Sequence, residues 1–284
     1  MKPVKPSIGG QAVIEGVMMR GLRSTAIAVR TGDGIVVKTD ENKSLSDKYK
    51  ILKLPILRGI LALIEMMILG IQSLSYSAYM SGEDDEEQLT SKDMAIALLA
   101  ALGFALLLFV VIPTAAARLI GGSIKSPVVL NAFEGMLRIV VFLIYIISIS
   151  RMKDIRRVFE YHGAEHKTVH CYENDENLTV ENVKKYSVIH PRCGTGFIMV
   201  VMAVSVLLFS FLGWRGIVQR IVSRILLMPL VSGISYEFIR LAGKSKSPIV
   251  SALNAPGMML QKFTTREPDE AQIEVAIAAI SKVL

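Results

Sequence analysis

All four histidines and both cysteines of the 284-residue chain fall between residues 162 and 193. The first part of that segment reads Tyr161-His162-Gly163-Ala164-Glu165-His166-Lys167-Thr168-Val169-His170-Cys171-Tyr172-Glu173, and the second His190-Pro191-Arg192-Cys193. On a helix, His162 and His166 stand four apart and share a face, the usual way for one helix to offer two imidazoles to a metal. Glu165 completes His-x-x-Glu-His, in which the glutamate acts as general base on a water held by the ion. At about 100° per residue, His170 and Glu173 fall near the same face. His190 and Cys193 add an imidazole and a thiolate from a Pro-containing loop. Imidazole and thiolate ligands in a set of three or four favour zinc over other divalent ions. The expected metal set is His162, His166, His190 and Cys193, with Glu165 as base and His170, Glu173, Glu15 and Glu237 as further or supporting residues. The competing reading needs no metal: a histidine network hydrogen-bonded to Glu165 and Glu173.

The elements that must position these groups are largely apolar. The chain is 52% hydrophobic, with a mean hydropathy of +0.47, and the apolar residues collect in blocks near the roughly 20 residues a membrane helix needs. The blocks predict spans at Met94–Ala117, Pro127–Ser150, Gly194–Trp214 and Gly216–Ile239, grouped as helix pairs over 94–150 and 194–240. Residues 56–80 carry Arg58, Glu65 and Gln72, which suits an amphipathic or re-entrant helix better than a span. Residues 1–55 form an N-terminal segment with a hairpin, Ala26–Val29 and Ile35–Val37 around Thr31-Gly32-Asp33-Gly34. Residues 151–193 form the metal-site loop, and 241–284 a tail ending in a short helix. The fold class is a mainly α-helical polytopic membrane protein with a small α+β part built from the N-terminal segment and the 151–193 loop.

Residues 1–55 hold ten Lys and Arg and 151–193 hold eight, against only Arg118 and Lys125 in 118–126. The positive-inside rule then puts both termini and the metal-site loop in the cytosol. It also explains the net charge of +7 as topology and attraction to anionic lipid, with no nucleic-acid partner. Reduced thiols are expected there, so Cys171 and Cys193 are not read as a disulfide. Glu134 and Arg138, inside a span, each need a partner: one another, or Arg220 and Arg224. Arg118-Leu119-Ile120-Gly121 with Lys125-Ser126-Pro127 is echoed by Arg240-Leu241-Ala242-Gly243 with Lys246-Ser247-Pro248, a short hint of an inverted repeat.

Three long motifs carry a resemblance: Gly9-Gly10-Gln11-Ala12-Val13-Ile14-Glu15-Gly16-Val17-Met18-Met19-Arg20, Tyr161-His162-Gly163-Ala164-Glu165-His166-Lys167, and His190-Pro191-Arg192-Cys193-Gly194-Thr195. With them the chain resembles the bacterial YqhQ-like proteins, a domain-of-unknown-function family described as predicted metal-dependent enzymes. The resemblance implies a metal at His162, Glu165, His166, His190 and Cys193, with no established reaction. Three functions compete. One is a zinc-dependent hydrolase working on a lipid head group or peptide at the membrane surface. Another is a non-catalytic factor with a closed four-ligand site, acting through a membrane-protein partner or a homo-oligomer in biogenesis or envelope assembly. The third is a transporter.

Overall fold

The computed structural model describes residues 8–82, 91–120, 126–212, 216–242 and 247–284. The acidic run 83–87 and the inner residues of the Arg-Leu repeat lie outside the described residues.

Residues 8–41 form a four-stranded antiparallel meander, β1 (Gly9–Val13), β2 (Gly16–Arg20), β3 (Ser24–Thr31) and β4 (Gly34–Glu41), in spatial order β1-β2-β3-β4. The expected hairpin is present as β3–β4, with Thr31 paired to Gly34 across the turn. The Gly-rich lead-in is a second hairpin, β1–β2, with Glu15 at φ 50 in its turn. Both faces of the central strands are covered. Val17, Met19 and Ala28 pack against one layer of helices, while Val13, Met18, Ile27 and Val29 pack against another. Such strands lose the in/out alternation that marks a half-exposed sheet.

The first layer is α4 (Lys153–Glu173) and α8 (Glu270–Ser281). Asp269 starts α8 with a capping box to Gln272, which satisfies two first-turn N–H groups. The opposite layer is α1 (Leu57–Ser81), whose Leu69, Tyr76 and Met80 meet the sheet. The Ile14 N–H donates to Ser77 Oγ at 3.2 Å, and Gln11 lies against Gly70. At the other end of α1, Arg58 pairs with Glu237, and Gly59 lies against Tyr236. The face of α1 away from the sheet exposes Ile64, Met67, Ile68 and Tyr79. The residue 56–80 stretch is thus one continuous helix with no re-entrant break.

The remaining helices form a bundle. The helix α2 runs from Ser91–Leu106 through a π turn, Leu107–Val111, into Ile112–Ile120. The wide turn lies just ahead of Pro113, whose ring would otherwise press on the carbonyl four residues back. It is followed by α3 (Pro127–Ile149), α5 (Thr195–Ser210), α6 (Ile217–Ala242) and α7 (Pro248–Thr264). By length and composition, four helical stretches could cross a membrane: Leu57–Ser81, Ala95–Leu119, Pro127–Ile149 and Val218–Leu241. This differs from the sequence expectation at two points: α1 is long and apolar enough to count, and α5 is only 16 residues. The chain turns between α3 and α4 at Ser150–Met152. Gly163 is helical, and a Cβ there would lie 2.0 Å from the Arg266 carbonyl oxygen. It marks where the Thr265–Arg266 segment crosses α4, held by the Arg266 N–H on the Phe159 carbonyl at 2.9 Å. Helix α7 falls inside what the sequence reads as tail.

Candidate metal centre

Helix α4 carries His162, His166 and His170 on one stripe and Glu165 on the flank beside the sheet. The loop 188–195 passes in front of that stripe, and the C-terminal end of α7 closes it. His162, His166 and Cys193 each bring a ligand atom within 4.8 Å of the others. His170, Glu173 and His190 form a second group with the same spacing. The expected quartet is therefore divided: His190 stands with His170, their ring centroids 4.4 Å apart, and its ring is 5.7 Å from that of His166. His162 and His166 rings are 4.3 Å apart.

Backbone carbonyls set the tautomers. His162 Nδ1–H donates to the Thr264 carbonyl at 2.8 Å, and His166 Nδ1–H to the Val188 carbonyl at 2.5 Å. A carbonyl only accepts, so both rings carry the proton on Nδ1 and keep an Nε2 lone pair. His162 Nε2 lies 3.3 Å from Cys193 Sγ. His166 Nε2 is buried with no hydrogen-bond partner. A carbonyl holding the far nitrogen is the arrangement that orients metal-binding histidines. The second group differs. The Arg192 N–H donates to His190 Nδ1 at 3.2 Å, which leaves the proton on Nε2, facing Glu173 Oε2 at 3.5 Å. His170 Nε2–H donates to the Ile189 carbonyl at 3.0 Å. Glu173 also pairs with Arg192. Each group keeps one buried imidazole Nε2 without a hydrogen-bond partner, that of His166 in the first and of His190 in the second; the difference is that His166 offers a lone pair there and His190 an N–H. Gln261 brackets His190 by accepting its N–H at 2.8 Å and donating to its carbonyl at 2.9 Å.

Burial sets the charges. It holds His162 below the usual imidazole range and takes His166 down to about 2 and His190 to about 4. All three rings are therefore neutral at pH 7. Burial pushes the Cys193 thiol up to about 11, against the Thr195 hydroxyl that holds it. Burial also pushes Glu165 up to about 8, opposed by the Gly10 N–H on its carboxylate. Glu165 Oε2 has no hydrogen-bond partner. Gly10 is needed here: a Cβ would sit 2.9 Å from Glu165 Cδ. The pocket thus holds three soft donor atoms and a carboxyl but no cation among the described residues. Such buried polar atoms cost stability unless something satisfies them.

The supporting residues divide. Glu15 binds Arg157 and accepts the Tyr161 hydroxyl at 3.2 Å, so it belongs to the β1–β2 turn and not to the donor set. Glu237 is held by Arg58 and lies 4.0 Å from Arg240, a correction to its expected place behind the metal. Glu134 and Arg138 lie together, as expected, with Arg220 and Arg224 both on Glu134. Thr264, Val188 and Gln261 had no mark in the sequence, since two of them act through main-chain carbonyls.

The comparisons agree with this architecture in extent and leave the chemistry open. Residues 54–284 match the family model described as "Protein of unknown function (DUF1385)". The chain is 34% identical over 296 residues to a protein of Bacillus subtilis (strain 168) described as "Uncharacterized protein YqhQ", covering 99% of this chain and 93% of that one. No solved structure matches. With the family model spanning most of the chain and the relative nearly all of it, the chain belongs to the DUF1385 family of proteins of unknown function.

Proposed function

We propose that this is a multi-pass protein of the bacterial plasma membrane whose sheet layer lies on the cytosolic surface and holds a zinc-dependent hydrolase site. The packing supports the topology by parity. The sheet, α4 and α8 form one core, so they share one side of the bilayer, and an even number of crossings must separate β4 from α4. Three candidates intervene: α1, α2 and α3. Helix α1 lies along the sheet from Gly70 to Met80 and turns its apolar back outward, as an interfacial helix does. With α1 on the surface, α2 and α3 cross as one pair and α5 and α6 as another. The Lys and Arg bias then directs the sheet side to the cytosol.

One observation carries the site: the buried, partnerless Nε2 of His166 aimed where His162 Nε2 and Cys193 Sγ converge. Two imidazoles and a thiolate suit zinc, and three protein ligands are the number found where a fourth position stays open for chemistry. A bound ion supplies Lewis acidity and positive charge at that position. Cys193 enters as the thiolate, so loading releases its proton. Burial keeps the Glu165 carboxyl largely protonated at pH 7 without a cation; the charge of a bound ion would favour its carboxylate, which would then take a proton from an attacking water and return it to the leaving group. The Gly10 N–H holds the carboxyl that does this. The substrate class is a scissile acyl or phosphoryl bond at the membrane surface, in a peptide or a lipid head group.

The test compares full-length variants for metal content and for rescue of a strain lacking the gene. Zinc at one per chain, lost in His166→Ala and Cys193→Ser, is the expected result. Glu165→Gln is expected to keep the zinc and lose rescue. If Glu165→Gln rescues fully while His166→Ala does not, the metal is structural. The 5.7 Å separation of His166 and His190 rings is the observation favouring that second reading, since a turn of His190 would close a four-ligand set.

A further inference from the structure

A second buried polar cluster lies far from the histidines. Thr114 of α2, Glu134 and Arg138 of α3 and Arg220 and Arg224 of α6 pack together, with Glu134 and Thr114 almost fully buried. The Thr114 hydroxyl donates to Glu134 at 2.8 Å and accepts from Arg224 at 2.8 Å. Arg224 Nη2 donates to Glu134 Oε2 at 2.7 Å, and Arg220 also binds Glu134. Arg138, one turn along α3, reaches the same carboxylate at 3.4 Å, and its Nε is buried without a partner. Arg138 and Arg224 both lie over the ring of Phe209, at 5.7 and 5.4 Å.

The charges do not balance. Three guanidinium groups share one carboxylate, that of Glu134, among the described residues. All three arginines are at least nine-tenths buried, so they do not relieve this by reaching out to water. Beside them is a cavity of about 270 Å³, lined by Arg220, Arg224, Asn131, Gln219 and Ser223 together with Phe211 and Leu212. It falls below the roughly 300 Å³ at which drug-sized pockets begin, so it suits a compact group. Its position along the helices is also telling. Arg220 is in the first turn of α6 and Glu134 in the second turn of α3. The rest of α3, to Ile149, adds about 22 Å at 1.5 Å per residue before the turn into α4. The cavity therefore lies near the bundle end opposite the histidines, at head-group depth if α3 and α6 cross as proposed above.

We infer that this cavity binds a phosphate-type anion, carried by an anionic lipid head group or free in solution. Arg220 and Arg224 already give Nη groups to Glu134, so what they bring to a phosphate at the cavity wall is chiefly positive charge on a group suited to phosphate oxygens. An anion of one or two charges also removes the excess that Glu134 leaves.

The experiment uses the full-length protein in neutral detergent and in nanodiscs. Its thermal midpoint is followed during titration with phosphatidylglycerol, phosphatidylcholine and inorganic phosphate, and bound lipid is counted by native mass spectrometry. Two variants accompany it. Arg220→Gln removes a fork. Ser223→Phe fills the cavity and leaves every charge in place, since the Ser223 hydroxyl donates to the Arg220 carbonyl of its own helix at 3.0 Å. The native protein is expected to retain one phosphatidylglycerol and to gain midpoint with it, with affinity at least tenfold weaker in Ser223→Phe. A gain from inorganic phosphate with the same Ser223→Phe sensitivity assigns the free anion and also supports the site. Equal retention of phosphatidylcholine overturns the inference. So does no response to either anion, or a Ser223→Phe protein that binds as tightly as the native one.

Discussion

One buried polar cluster lies near the start of helix α3 and the other beyond its far end, on α4, and they err in opposite directions. At the histidine end, His162, His166 and Cys193 bring lone pairs and a thiol together with no cation among them. At the other end, Arg138, Arg220 and Arg224 bring three cations to one carboxylate. Both arrangements cost free energy in an isolated chain, because buried polar atoms and charges are tolerated only when compensated. The sign of the deficit is the ground for both proposals: a cation for the donor-rich end, an anion for the guanidinium-rich end. The second histidine group serves as a control. His170, Glu173 and His190 are as close together as the first three, yet the Ile189 carbonyl holds His170 Nε2, Arg192 pairs with Glu173, and His190 turns an N–H inward where His166 turns a lone pair.

The largest expected effect is at the arginine end. Glu134→Ala leaves three buried guanidinium groups without their counter-charge and should cost about 3–5 kcal/mol. It would be read as loss of folded protein or a large fall in thermal midpoint. A midpoint within a degree of native would show that the cluster is solvated and break the comparison. At the histidine end, His166→Ala and Cys193→Ser should each weaken zinc binding by more than about 100-fold, above the 10–100-fold typical of outer partners. His190→Ala should stay within that outer range, as measured by competition with a chelator, because His190 presents an N–H and not a lone pair.

Proton release gives a third test. Cys193 in the empty site binds its proton up to a pH of about 11, and only the thiolate is a ligand. Raising the pH therefore favours loading, by about tenfold per unit for one released proton. His166, already neutral above about pH 2, adds no further proton to the count. A zinc affinity flat between pH 6.5 and 8.5 would contradict the ligand assignment. The smallest effect is expected of Gly10→Ala. Its Cβ would press on the Met18 carbonyl and on Glu165, an overpacking that costs about 1–3 kcal/mol. Activity should fall more than zinc content, since the displaced group is the proposed base.

The helical pair His162/His166 and its neighbour Glu165 were legible because spacing on a helix fixes which side chains share a face. The β3–β4 hairpin was legible from Thr31-Gly32-Asp33-Gly34. The β1–β2 hairpin was hidden because its turn uses Glu15 at φ 50, where Asn-Gly would have been a signal. Strands β2 and β3, covered on both faces, also lack the alternation that marks a sheet. Helix α7 carries an internal Pro256, which argues against a helix when read alone. The division of the donors into two groups was out of reach for a different reason. It depends on which ring nitrogen meets the carbonyls of Thr264, Val188 and Ile189 or the Arg192 N–H, and main-chain groups leave no trace in residue type. Glu237 was drawn elsewhere by Arg58, 179 positions away.

The central claim is that the donor-rich end holds one zinc through His162, His166 and Cys193, with a fourth position open. Zinc-edge X-ray absorption on the purified full-length protein, together with metal content per chain, tests it most directly. The account predicts one zinc per chain with two imidazole nitrogens, one sulfur and one further light atom, and the same imidazole count in His190→Ala. A protein without stoichiometric metal, or a three-imidazole site that loses a ring in His190→Ala, would contradict it.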